Sequence, residues 1–118
     1  MNSELQKCLR GHLDSLARQG ETISYRQLAM LAEVSSPMAI RRLALALEEV
    51  IREDDAAGIF PSVACLAVSQ ADPAIPRAGF FMLLRELDLY SGTDEGPEAE
   101  IFHADCVQQV FQRFSLTD

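Results

Sequence analysis

The chain has 118 residues, of which 48% are hydrophobic and 24% are charged, and its formal net charge is −8. This composition is typical of one globular domain and excludes a disordered chain. No apolar run approaches the roughly 18 residues that a membrane span needs. The N-terminus lacks a signal-peptide pattern, and there are only three cysteines, so we expect a cytoplasmic protein without a disulfide framework.

The negative charge is unevenly distributed along the chain. Residues 1–52 contain seven basic and six acidic residues, whereas residues 53–118 contain three basic and twelve acidic ones. Nucleic-acid-binding proteins need a basic surface, because contacts to phosphate supply most of their affinity. Such a surface is therefore expected in the first half, while the acidic second half suits a basic protein partner.

The N-terminal part predicts a helix over residues 3–19. Ser3 and Gln6 have the spacing of a capping box, and leucines at positions 5, 9, 13 and 16 follow at helical intervals. Gly20 is suited to the left-handed position just after a helix. Residues 21–23 then form a short extended link.

Residues 23–52 predict two helices joined by a four-residue turn. Ser24 and Gln27 form a capping box at the start of the first helix. Ser36 is the expected N-cap of the second helix, which begins at Pro37. This arrangement is typical of a helix-turn-helix. The residues of the second helix expected in the core are Ile40, Leu43, Leu47, and Val50 or Ile51.

The second half predicts one strand and two helices. The apolar run over residues 62–69 predicts a buried strand, and residues 70–77, with two prolines, predict a loop of the length of a wing tip. Residues 78–80 are either a returning strand or the entry to the next helix, expected over residues 80–90. A last helix begins at Pro97. Its apolar side consists of Ile101, Phe102, Val107, Val110, Phe111 and Phe114.

This order of elements resembles the winged-helix superfamily. We therefore predict a single α+β, mostly helical domain over residues 1–118. Its winged helix-turn-helix-like core covers about residues 21–70, and an added C-terminal helical pair covers about residues 80–116. The last helix is rich in aromatic residues, so we expect it either to cap the core or to bind a protein partner, including a second copy as a homodimer.

Two stretches are also similar to the DNA-binding half of alkyltransferase-like proteins: ISYRQLA at residues 23–29 and AIRRL at residues 39–43. In that family a tyrosine and an arginine on these two helices engage the minor groove and extrude a base. The resemblance implies these roles for Tyr25 and for Arg41 or Arg42. The catalytic Pro-Cys-His-Arg motif of the family is absent, and its nearest counterpart is PSVAC at residues 61–65. We therefore expect no transfer activity.

Residues 24–45 are the predicted DNA-binding segment, because arginines early in a recognition helix can contact phosphates and guanine edges. The alternative is an ordinary solvated helix face on which Arg41 or Arg42 pairs with a nearby acid. The acids available for such pairs are Glu33, Glu48 and Glu49. The candidate nucleic-acid-binding residues are Tyr25, Arg26, Ser36, Met38, Arg41 and Arg42.

We predict a small DNA-binding or regulatory protein that is not an enzyme and has no catalytic residue, cofactor or metal site. The alternative is an acidic protein–protein interaction module on the same fold. Interruption of the positive surface by Glu33 or Glu48 would favour that module. An enzyme would instead need a concave pocket with converging polar groups.

Four residues raise the question of a zinc site. Cys8 and His12 are four positions apart in the first helix, and His103 and Cys106 are three apart in the last. The four would approach a tetrahedral set if these helices packed side by side, but neither pair has zinc-finger spacing. We interpret the cysteines as small buried residues, Cys65 included, because no histidine or basic residue neighbours it in sequence.

Overall fold

The structure is a computed structural model that describes residues 3–35 and 37–115. Over these residues the protein is mostly helical (66%), with five α-helices and one two-stranded parallel sheet. In chain order the elements are α1 (Ser3–Gln19), β1 (Ile23–Ser24), α2 (Tyr25–Leu31), α3 (Ala39–Ala56), a 3-10 turn (Val63–Leu66), β2 (Ala67–Val68), α4 (Ala78–Glu86) and α5 (Pro97–Ser115). The predicted mostly helical domain is confirmed. No helix in this part of the chain is both long enough and apolar enough to cross a membrane.

The core lies where α1, α3 and α5 pack around the 3-10 turn. Leu9 of α1, Leu43 and Val50 of α3, and Leu66 of the 3-10 turn are all completely buried. Burying one such side chain stabilises the fold by about 1.5–3 kcal/mol relative to leaving it exposed. The predicted core positions Leu43 and Leu47 are confirmed, so α3 is held on the scaffold by its apolar side.

The turn between α2 and α3 is longer than predicted. α2 ends at Leu31 and α3 begins at Ala39, so seven residues separate them instead of four. The prediction that Pro37 opens the second helix is therefore wrong. Met38 directly precedes α3 with a left-handed backbone (φ 61°) and no capping side chain, so helical geometry begins only after it. Ser36, the predicted N-cap, lies outside the described residues.

The way α2 ends accounts for part of this extra length. The N–H of Val34 donates to the carbonyl oxygen of Ala29 at 2.9 Å, and Glu33 has a φ of 57°. This is the Schellman arrangement, which closes a helix and usually has glycine at the left-handed position. Because the chain leaves the helix there, Val34 and Ser35 are not part of α2.

The predicted strand over residues 62–69 is wrong for most of its length. The hydroxyl oxygen of Ser62 accepts a hydrogen bond from the N–H of Ala64 at 3.1 Å and so caps the 3-10 turn. Only β2 is extended, and it pairs in parallel with β1, with Ile23 opposite Ala67. A short buried apolar run does not distinguish a strand from a buried helical turn, which is why the pattern misled.

Residues 69–77 form the predicted loop, and the chain then enters α4 directly. The N–H of Ser69 donates to the carbonyl oxygen of Ile75 at 2.9 Å within this loop. No strand returns beside β2 in the part of the chain that the structure describes, so the loop does not form the β-hairpin of a wing. Pro73 and Pro76 lack the N–H donors that a returning strand would use.

α5 buries most of its predicted apolar side within the molecule, against α1 and the 3-10 turn. Val107 and Val110 are buried, and Phe111 is partly buried against the core. Ile101 is 72% exposed, so its assignment to this side is wrong. His103 occupies the buried position instead, two residues further along the helix. This packing gives the aromatic residues of α5 a role in capping the core.

Candidate nucleic-acid interface

The predicted site residues lie on α2 and at the start of α3. Arg26, Arg41 and Arg42 are exposed, and Met38, just before α3, is 61% exposed. The guanidinium of Arg42 donates to the carbonyl oxygen of Ser35 at 3.5 Å, which holds it near the α2–α3 turn. The structure does not place Ser36, which lies outside the described residues.

The pairing of the arginines distinguishes this region from the rest of the molecule. Arginines elsewhere pair with carboxylates or lie over the ring of Phe114; the first group is Arg10, Arg52 and Arg85, and the second is Arg18 and Arg113. Six arginines form no ion pair within the described residues. Two of them are Arg18 and Arg113, and we call the other four the arginine face: Arg26, Arg41, Arg42 and Arg77. The alternative pairing of Arg41 or Arg42 with nearby acids is therefore not formed.

Tyr25 is placed differently from the other candidate residues, because it is buried (8% exposed). Its hydroxyl oxygen accepts a hydrogen bond from the backbone N–H of Arg77 at 2.8 Å. Burial raises the pKa of Tyr25 to about 12, so the phenol is neutral. The guanidinium carbon of Arg77 lies 6.0 Å from the centre of the Tyr25 ring, at the outer limit of a cation–π contact. Tyr25 thus joins α2 to the loop over residues 69–77.

Arg77 is a site residue that sequence reasoning missed. It lies directly before α4, at the end of a loop whose sequence predicts only a turn. Its position beside Tyr25 depends on a contact across 52 residues of chain, which no local pattern reveals. The only feature of the sequence that singles out Arg77 is the scarcity of basic residues in the second half, where it is one of just three.

A pocket of about 200 Å³ opens between α3 and the start of α4, and we call it the α3–α4 pocket. It is smaller than the roughly 300–1,000 Å³ pockets of drug-sized ligands, so it suits a ligand of one or two rings. Most of the lining is apolar, and its charged groups are two arginines and one glutamate. The lining residues are Tyr25, Arg41, Ala44, Leu45, Leu47, Glu48, Ile51, Ala64, Arg77, Gly79 and Phe80.

A wider groove of about 530 Å³ adjoins this pocket, and we call it the α2 groove. Tyr25 and Arg77 line both depressions, while Arg41 lines the pocket and Arg26 lines the groove. Three residues of the arginine face, Arg26, Arg41 and Arg77, therefore line the two depressions, while Arg42 lines neither of them. The other residues of the α2 groove are Ala29, Met30, Val34, Ala39, Ile40, Ser69 and Gln70.

Glu48 is the one carboxylate among the described residues that line the α3–α4 pocket. It is half-buried, and burial raises the pKa of its carboxyl group, an effect that nearby Arg52 partly opposes. A Cβ atom added to Gly79 would lie 3.3 Å from Oε2 of Glu48, so glycine at this position leaves room for the carboxylate. Sequence reasoning considered Glu48 both as a candidate partner of Arg41 or Arg42 and as an acid that would interrupt the positive surface. The structure places Glu48 in the same lining as Arg41 and Arg77, so the positive surface is interrupted there, as expected for the acidic protein-binding alternative.

The described residues that line the α3–α4 pocket include no cysteine, serine or histidine. Ala64 faces the pocket, whereas its neighbour Cys65 is 1% exposed in the core. Burial raises the pKa of the Cys65 thiol, which keeps it protonated. The backbone carbonyl of Cys65 lies 2.8 Å from Nε2 of His103, so that ring packs against the 3-10 turn.

The four residues considered for zinc are not brought together. Cys8 lies exposed on α1, whereas His103 and Cys106 are buried on α5. Across residues 3–35 and 37–115 there is no group of three or more His, Cys, Asp or Glu side chains that would hold a metal ion. The interpretation of Cys65 and Cys106 as buried core residues is confirmed, while that of Cys8 is wrong because it lies on the solvent side of α1.

No protein-family model matches the chain, and comparison with curated proteins and with solved structures finds no match either. The function is therefore inferred from the geometry and charge of the site itself.

Proposed function

We propose that the protein binds double-stranded DNA through the arginine face, without catalysing a reaction. One observation carries this proposal: three exposed arginines without carboxylate partners in the described residues, Arg26, Arg41 and Arg77, line two adjoining depressions, and Arg42 follows Arg41 on α3. Guanidinium groups make strong bidentate hydrogen bonds to phosphate. Phosphate contacts supply essentially all of the sequence-independent affinity for DNA.

In this proposal α2 and α3 act as a helix-turn-helix-like pair, with α3 as the recognition helix. The first turns of α3 carry Arg41 and Arg42, the positions from which recognition helices contact DNA. The loop over residues 69–77 takes the place of a wing, since it ends at Arg77 beside the same pocket. The proposed likeness to a winged helix is limited to the order of these parts, because the loop is not a β-hairpin and the two strands pair in parallel.

The resemblance to alkyltransferase-like proteins adds a role for the α3–α4 pocket. It implies that Arg41 or Arg42 enters the minor groove while a base leaves the helical stack. Proteins that extrude a base hold it by stacking against aromatic or apolar side chains, and Leu45 and Phe80 offer such surfaces in this pocket. Because no cysteine, serine or histidine is among the described residues that line the pocket, we propose that the base is held and not modified.

The alternative function is an acidic protein-binding module. Phe60 and Ile101, exposed by 40% and 72%, lie in the half of the chain that carries twelve acidic residues. Exposed apolar side chains among acids suit a basic partner. Phe60 and Ile101 are not part of the arginine face. Substitutions of Arg41 and Arg77 should therefore weaken DNA binding but not protein binding, which distinguishes the two functions.

Fluorescence anisotropy with a mixed-sequence duplex tests the DNA proposal. We expect binding that weakens steeply with salt, with a log–log slope of about −0.9 for each phosphate neutralised. Arg41→Ala and Arg77→Ala should each lower the affinity and reduce the slope by about 1. Arg52→Ala is the matched control, because Arg52 lies on the same helix but pairs with Glu86 at 2.9 Å.

Two results would contradict the proposal. The first is no binding at about 50 mM salt, where electrostatic affinity for DNA is high. The second is a loss of affinity in Arg52→Ala as large as in Arg41→Ala, since that would indicate a general charge effect.

A further inference from the structure

The α3–α4 pocket combines charges of both signs that do not neutralise each other. Arg41 and Arg77 lie in its lining together with Glu48, yet neither arginine forms an ion pair with that carboxylate. Apolar side chains such as Leu45 and Phe80 make up most of the rest. A ligand that fits must therefore bring hydrogen-bond donors to the carboxylate and negative charge to the arginines.

The Glu48 carboxylate lacks partners of its own. In the described part of the chain its oxygens accept no hydrogen bond and lie in no ion pair within 4 Å. It is half-buried, so water satisfies it less well than it would a fully exposed acid. Donors from a ligand would supply the missing hydrogen bonds, each stronger than a neutral one because the acceptor is charged.

A nucleotide extruded from DNA has the required combination of groups. Its phosphates are anionic, its base is planar and apolar on both faces, and the edge of the base carries donors. Among the standard bases only guanine presents two adjacent donors on its Watson–Crick edge, N1–H and the 2-amino group. The two oxygens of one carboxylate accept these donors side by side.

We propose that the α3–α4 pocket binds an unpaired guanine, with Glu48 accepting its N1–H and 2-amino hydrogens while Arg41 and Arg77 contact the flanking phosphates. This assignment rests on the proposed DNA-binding function and specifies the base that the site selects. Gly79 contributes to it, because a Cβ atom there would lie 3.3 Å from Oε2 of Glu48 and would crowd the carboxylate.

The selectivity follows from what the other bases offer to a carboxylate. Adenine and cytosine present a single amino group next to a ring-nitrogen acceptor, and thymine presents one N–H between two carbonyl oxygens. Each of these acceptors would face the negative charge of Glu48. One good bidentate pair discriminates between bases by about tenfold or more.

Anisotropy titrations with duplexes that carry one base opposite an abasic site test this inference. We expect guanine to bind about tenfold more tightly than adenine, cytosine or thymine. Hypoxanthine, which lacks the 2-amino group, and O6-methylguanine, which lacks the N1 hydrogen, should lose most of that advantage. Each analogue removes one of the two donors that Glu48 is proposed to accept.

Substitution of the carboxylate provides the second arm. Glu48→Gln should abolish the preference for guanine, because an amide offers one acceptor and one donor in place of two acceptors. Glu49→Gln is the matched control: it removes the same charge from the neighbouring, exposed position, which does not line the pocket. Urea denaturation followed by circular dichroism verifies that both variants fold.

The outcomes separate this inference from the function on which it rests. Tight binding to all four bases with equal affinity would overturn the guanine assignment and leave DNA binding intact. A guanine preference that survives in Glu48→Gln would also overturn it. Failure to bind any duplex would overturn both proposals.

Discussion

The backbone N–H of Arg77 donates a 2.8 Å hydrogen bond to the hydroxyl oxygen of Tyr25, across 52 residues of chain. This contact fixes the end of the loop over residues 69–77 against α2 and places both residues in the lining of the pocket and of the groove. The buried tyrosine therefore positions the exposed arginine. Its hydroxyl oxygen already accepts one hydrogen bond, and the residue is only 8% exposed.

Tyr25→Phe tests this relationship. We expect a loss of about 0.5–1.5 kcal/mol in the free energy of unfolding, because the N–H of Arg77 loses its acceptor. If Tyr25 acts through Arg77, the DNA affinities of Tyr25→Phe, Arg77→Ala and the double variant should be strongly non-additive. Tyr90→Phe is the control, since that hydroxyl donates to the carbonyl of Thr93 away from the arginine face. Fully additive effects would indicate that the Tyr25 hydroxyl contacts DNA directly.

Leu43→Ala tests the phase of α3. Leu43 is completely buried, so the substitution should lower the free energy of unfolding by roughly 2–5 kcal/mol through lost burial and the cavity left behind. Leu45→Ala on the same helix removes the same atoms from a side chain that is 50% exposed, and its cost should be much smaller. Urea denaturation measures both. Similar costs for the two variants would contradict the placement of α3 against the core.

The helices could be predicted because their apolar spacing is a local property of the sequence. Ser24 caps α2 as its spacing to Gln27 predicts, with the hydroxyl oxygen accepting from the Gln27 N–H at 3.1 Å. The predictions were wrong where one local sequence pattern is compatible with two different structures. The apolar run after Ser62 forms a buried 3-10 turn instead of a strand, and Glu33 closes α2 in a conformation usually taken by glycine.

The site could be predicted only in part, for a related reason. The exposed Arg26, Arg41 and Arg42 follow from helical phase, which periodicity supplies. The burial of Tyr25 and the importance of Glu48 and Arg77 depend on how α2, α3 and the start of α4 meet. These contacts join residues that are far apart in the sequence, so they are seen only in the folded protein.

Arg10 should contribute far more to stability than a typical surface arginine. Its Nη2 atom lies 2.9 Å from Oδ1 of Asp54, a buried carboxylate near the end of α3, and also donates to the carbonyl of Val50 at 3.3 Å. Arg10→Met would leave the charge of Asp54 buried without its partner. We expect the free energy of unfolding to fall by about 2 kcal/mol. Breaking a fully buried pair costs ~3–5 kcal/mol, and the cost is smaller here because Arg10 is partly exposed.

The control for Arg10 is Arg52→Met, which breaks the exposed pair between Arg52 and Glu86. Exposed pairs contribute up to about 1 kcal/mol, so this variant should retain nearly the stability of the wild type. Chemical denaturation of both proteins at neutral pH makes the comparison. A larger loss in Arg52→Met than in Arg10→Met would contradict the role of the pair between α1 and α3.

His103 should make the stability of the fold depend on pH. It is buried, and its Nε2 atom lies 2.8 Å from the carbonyl oxygen of Cys65. Its ring packs edge-on against the ring of Phe80. Burial lowers the pKa of His103 below the ordinary value of 6.5, because the charged imidazolium is poorly solvated there. Below pH 6.5 the unfolded chain therefore binds more protons than the folded protein.

The contribution of His103 to stability is thus complete above pH 6.5. It is lost progressively as the pH falls from 6.5 toward the lower pKa that His103 has in the folded protein. His103→Gln removes this titration while keeping a side-chain donor that can reach the Cys65 carbonyl. Urea denaturation at about pH 7.5 and at about pH 5 should show a clear loss of stability on acidification for the wild type and a smaller loss for the variant. The variant is expected to be less stable at the higher pH, so the quantity to compare is the difference between the two pH values. An equal loss in both proteins would show that His103 is not the group responsible.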